Sequence, residues 1–75
     1  MELKNYRYLA ADPEMLGGQP VVKGTRLSAA FILSCLSQGM TVDEISKTYV
    51  PITSEVISEV FKLAAEVLDA GRVAA

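Results

Sequence analysis

The sequence predicts a mainly α-helical fold, a three-helix helix-turn-helix domain behind a short N-terminal β-hairpin. Three observations predict it. Before residue 27, β-prone stretches flank a glycine-rich loop. After it, apolar residues recur at three and four positions. Two helix-start signatures then divide the remainder. The 75 residues make one domain, with 1–26 as the hairpin arm, 27–70 as three helices and 71–75 as a tail.

Tyr6-Arg7-Tyr8-Leu9-Ala10 has the aromatic, alternating character of a strand that pairs with residues 20–23. Asp12-Pro13-Glu14 opens the loop between them, since the carboxylate accepts from free amides where proline has none to satisfy. Residues 17–27 place three glycines, a proline and two cations around Val21-Val22, which reads as a short strand held between tight turns. The first helix runs from Leu27 or Ser28 to Gln38. Ser28 caps it, Gly39 follows its end, and Phe31, Ile32, Cys35 and Leu36 share one face.

Residues 40–45 form a complete helix start, with Thr41 as N-cap, Glu44 reaching back and Met40 stapled to Ile45. This second helix ends near Tyr49, because Pro51 biases Val50 out of the α region. Ile52, Thr53 and Ile57 repeat the device for a third helix that reaches about Asp69. Its apolar face runs through Val56, Ile57, Val60, Phe61, Ala64, Val67 and Leu68, and Gly71 is its expected stop.

A domain this small buries only about 60% of the surface its unfolded chain exposes. Yet 51% of its residues are apolar, more than one small core hides, so a homodimer is expected. There is one cysteine, Cys35, and no histidine, which argues against a zinc site, imidazole catalysis and a disulfide scaffold. No cofactor, metal or enzymatic activity is expected. Neither a signal-like start nor an apolar run long enough for a membrane span is present, so the expected location is the cytoplasm.

The net charge of −2 is not that of a dedicated nucleic-acid binder. Residues 1–26 carry four cations against three acids, and residues 27–75 carry three against six, so any anion-binding surface belongs at the N-terminal end. The outer side of the third helix offers Ser54, Glu55, Ser58, Glu59, Lys62, Glu66 and Asp69, which repel phosphates. A solvated face with pairs such as Glu59 with Lys62 is the plainer reading. Glu55 and Glu59, with Glu66, are nonetheless candidates for meeting a basic partner surface.

Lys23, Thr25 and Arg26 could cradle a phosphate or grip a carboxylate around Gly24. The favoured alternative is structural: Arg26 pairs with Asp12 or Glu44, and Thr25 bonds its own turn. Phe31, Tyr49 and Phe61 read as core or dimer anchors rather than base-stacking platforms.

The segment Gly17-Gly18-Gln19-Pro20-Val21-Val22-Lys23-Gly24-Thr25-Arg26-Leu27, followed by Gly39-Met40-Thr41-Val42-Asp43-Glu44-Ile45 and Tyr49, resembles the bacterial family called domain of unknown function 433 over roughly residues 8–66. The resemblance implies a homeodomain-like fold and an antitoxin-like role beside a PIN-like ribonuclease toxin. Two departures stand out. The family's proline directly follows its tyrosine, whereas Val50 intervenes here, and the family's Ala-Leu-x-Tyr-Ala is Val60-Phe61-Lys62-Leu63-Ala64. The expected function is a dimeric antitoxin of a type II toxin-antitoxin system. A helix-turn-helix DNA regulator is the second expectation, and a small dimeric structural or interaction domain the third.

Overall fold

Strand β1 (Leu9–Ala11) pairs antiparallel with β2 (Pro20–Val22) in the computed structural model, which describes residues 3–71. The expected tail beyond Gly71 therefore lies outside the described residues. Leu9 faces Val22 and Ala11 faces Pro20, which starts its strand where a missing amide does least harm. The ladder is shorter than Tyr6 to Ala10 suggested. The Arg7 and Tyr8 amides turn away from it toward a helix, although the Tyr8 carbonyl still accepts from Lys23 N at 2.9 Å.

Between the strands, Asp12 Oδ1 accepts from Glu14 N at 2.9 Å, the turn expected of Asp before Pro. Leu16, Gly17 and Gly18 then take φ of 49°, 67° and 84° in succession. Two of these positions suit glycine, and Leu16 carries the strain alone.

Helix α1 (Ala29–Ser37) starts where Ser28 Oγ accepts from Phe31 N at 2.9 Å. It ends in a paired closure: Gly39 N reaches Leu36 O at 3.0 Å and Met40 N reaches Cys35 O at 3.2 Å, with Gly39 at φ 97°. That geometry needs a residue indifferent to the left-handed region, which is why glycine stands there. Helix α2 (Val42–Thr48) begins at once with the expected reciprocal cap, Thr41 N to Glu44 Oε1 at 2.9 Å and Glu44 N to Thr41 Oγ1 at 3.1 Å.

The connection to α3 (Ser54–Gly71) closes through Ile52 N to Tyr49 O at 2.8 Å. Val50, which separates the tyrosine from the proline, is pushed outward and stands 82% exposed. Thr53 Oγ1 takes Val56 N at 3.3 Å. The helix continues past Asp69 to Gly71, the last described residue.

The core gathers Leu9 from the hairpin, Ile32 from α1, Ile45 from α2, Ile52 from the turn and Val60 from α3, all essentially fully buried. Helix α3 touches α1, α2 and β1, so it is the element against which the rest assembles. The result is the expected architecture of three helices behind a two-stranded hairpin.

Two assignments to the core need correction. Phe31 is 39% exposed and Phe61 50%, while Leu63, outside the expected face, is buried. Five aliphatic side chains already fill the space between three helices, so the large rings are left at its margins.

Replacing Thr41 with alanine removes one half of the reciprocal cap of α2. The expected loss is about 1 kcal/mol of unfolding free energy with the fold retained, measured by urea denaturation against the wild-type chain.

Candidate functional site

Three surfaces carry the side chains singled out by the sequence. The first is the tight turn after β2. Thr25 N bonds Val22 O at 3.0 Å, Thr25 Oγ1 donates to the same carbonyl at 2.8 Å, and Leu27 N donates to Thr25 Oγ1 at 3.0 Å. The threonine hydroxyl is thus engaged within the turn, and Gly24 at φ 78° lets the chain reverse. Lys23 Nζ reaches the Tyr6 carbonyl only at 3.5 Å, and its ammonium stays exposed.

Arg26 does not find the expected internal partners. The Asp12 carboxylate caps its own turn, and Glu44 is committed to Thr41. Two exposed cations therefore flank an open hollow of about 320 Å³ that Asp12, Met15 and Thr25 also line.

The second surface is the acidic side of α3, and the structure divides it. Glu55 sits in the first turn, where its own amide foremost, then the Thr53 hydroxyl, hold its carboxyl below the usual carboxylate range. Glu44 is lowered in the same way by the Thr41 amide and hydroxyl. Glu59 behaves otherwise. Its two oxygens accept from Arg7 N and Tyr8 N, each at 2.7 Å, so the carboxylate joins residues 51 and 52 positions apart. It is a bracket for the N-terminal arm and not an open partner contact.

Lys62, expected to pair along the helix with Glu59 or Glu66, lies over the Tyr6 ring at 4.8 Å from its centroid. The Tyr6 hydroxyl beneath is buried, and no acceptor meets full hydrogen-bond geometry at it. Burial first, and the neighbouring Glu66 carboxylate next, push its pKa up to about 12. The arm is therefore locked onto α3 by a carboxylate, a cation over a ring and a sealed phenol.

The third surface is apolar. A groove of about 380 Å³ runs between α1 and the C-terminal half of α3, with Pro20 at one side and Leu33, Leu63 and Val67 along its walls. Leu68 also lines it, 61% exposed, and Phe61, on the same helix, is 50% exposed. On the opposite flank of α1, Phe31 meets Tyr49 edge to face, with centroids 5.4 Å apart and planes at 88°. The expected anchors thus separate into one pair and one isolated ring. Leu33 and Pro20 escaped sequence reading, because their role exists only once α3 is laid across α1.

A family model described as "Protein of unknown function (DUF433)" matches residues 10–64, nearly the whole span from β1 to the exposed part of α3. The chain belongs to the DUF433 family. No curated protein and no solved structure matches it. In this DUF433 chain the Leu63 side chain is buried and forms part of the groove wall. Among the described residues, no helix is long and apolar enough to cross a membrane.

Two substitutions test the lock on the arm. Glu59→Gln weakens the acceptor for two amides, so hydrogen exchange at Arg7 and Tyr8 accelerates roughly tenfold for each ~1.4 kcal/mol lost. Tyr6→Phe acts at alkaline pH. The native pKa lies above the unfolded value of 10.0, so the unfolded tyrosine ionises first. Stability present below pH 10.0 is then lost as pH rises toward about 12. Denaturation midpoints of Tyr6→Phe are expected to show a shallower fall across that window.

Proposed function

We propose that this DUF433 protein is a partner-binding module of the antitoxin type, which as a dimer covers the active site of a PIN-like ribonuclease toxin. The observation that supports it is the character of the outer helix faces. In α2 and α3 the cations are Lys47 and Lys62, and Lys62 is drawn over the Tyr6 ring. Around them stand Asp43, Glu55, Glu66 and Asp69, all exposed. A helix laid against phosphates needs the reverse balance. Exposed Phe61, and exposed Leu68 in the wall of an apolar groove, suit a protein surface instead.

Lys23 and Arg26 favour a second reading at the other end of the chain, as contacts to DNA phosphates in a helix-turn-helix regulator. Both are exposed, and among the described residues neither meets an acid; Lys23 Nζ makes only a long contact to the Tyr6 carbonyl, so both suit an anion, whether a phosphate or a toxin carboxylate.

The test mixes the purified chain with a PIN-like ribonuclease encoded beside it and measures RNA cleavage with complex mass. Stoichiometric inhibition within a stable complex is expected, and active nuclease at saturating chain overturns the reading. Binding of operator DNA with a steep salt slope, without nuclease inhibition, transfers the assignment to the regulator. The Lys23→Ala/Arg26→Ala variant is expected to keep its stability within about 0.5 kcal/mol, because Lys23 makes only a 3.5 Å contact to the Tyr6 carbonyl and Thr25, which holds the turn, is untouched. A fall in partner affinity at unchanged stability places the turn in the interface.

A further inference from the structure

We propose that the exposed stripe on the C-terminal half of α3, with the groove beside it, receives a second copy of this chain through antiparallel, two-fold contact of the two α3 helices. The inference deepens the reading above, since it supplies the dimer that reading invokes.

The stripe is self-complementary. Phe61, Ala64, Ala65 and Leu68 lie on one side of the helix, with 61 and 68 separated by two turns. A two-fold axis between positions 64 and 65 sets Phe61 of one copy opposite Leu68 of the other, and Ala64 opposite Ala65. The large residues fall at the ends and the small ones at the crossing, which lets the helix axes approach closely. An isologous contact demands this correspondence, in which each residue meets the partner of its own mate.

Charge agrees with the same axis. In an antiparallel pair, like flanks face each other. Lys62 and Asp69 lie seven positions apart on one flank, so Asp69 of one copy comes near Lys62 of the other, which stays exposed while its ammonium lies over its own Tyr6 ring. The other flank carries Val60 and Val67, which open into the groove with Leu33 and Pro20. No charged side chain lines that groove.

The occupant follows from what α3 lacks in one copy. The buried residues of α3 are Val56, Ile57, Val60 and Leu63, and from Ala64 to Gly71 none is buried. Val67 and Leu68 are 46% and 61% exposed although they continue the core stripe. A stable association covers about 800 Å² per partner, more than two helix turns supply, so the contact has to include the walls of the adjoining groove.

Sedimentation equilibrium of the full chain at micromolar concentration, with two variants, tests the proposal. The wild-type chain is expected to be a dimer, Leu68→Glu a folded monomer by circular dichroism, and Val50→Glu, at the exposed turn between α2 and α3, still a dimer. Ala65→Cys is expected to give a covalent dimer on mild oxidation, and Val50→Cys is not. A monomeric wild type, a dimer indifferent to Leu68→Glu, or equal cross-linking from both cysteines overturns the interface. A monomer that still inhibits the nuclease overturns this interface alone, and a Leu68-dependent dimer that fails to inhibit overturns the toxin reading alone.

Discussion

The carboxylate of Glu59 is the constraint on which the relation between the two halves of the chain depends. The hairpin is too short to stabilise itself, because an isolated pair of three-residue strands is marginal in water. It becomes fixed only by what it leans on. Leu9 supplies the apolar part of that support, fully buried in the helical core. Glu59 supplies the directional part, since two short hydrogen bonds to consecutive amides set both position and rotation of the arm. Tyr6 under Lys62 then closes the seam.

This seam also explains the charge behaviour of α3. A helix face that reads as a run of solvated acids has spent one carboxylate on backbone amides and one cation on an aromatic ring. What remains outward on that face is Glu55, Glu66 and Asp69, acids alone at the same net charge that the sequence count gives. The tight turn carrying Lys23 and Arg26 lies on the hairpin that α3 braces, so these exposed cations are held on a fixed platform.

The local parts of this fold were legible in the chain. Ser28, Thr41 and Gly39 specify their helix ends through contacts to residues within five positions, and the expected caps formed as read. What needs the third dimension was not legible. Glu59 and Lys62 are close enough along α3 to pair with each other, and both found the N-terminal arm instead. A helical wheel gives the width of the apolar stripe and not which edge faces inward, so Leu63 took the buried place expected of Phe61. At the candidate site the turn chemistry of Thr25 was predictable, whereas Arg26 lost its expected acids because each was already bound locally.

The last two turns of α3 raise a separate question, which is why they are helical at all. Core contacts hold the helix as far as Leu63, and beyond it no side chain is buried. Ala64, Ala65, Glu66, Leu68 and Ala70 are among the strongest helix formers, so continuation from an already nucleated helix needs no further packing. Propensity alone, however, is equally satisfied by lysine, glutamate and glutamine. It does not call for Val67, a weaker helix former than these, or for Leu68 at 61% exposure. Such residues contribute little to a single copy, and they lie where the proposed contact between two α3 helices and the groove beside it would cover them.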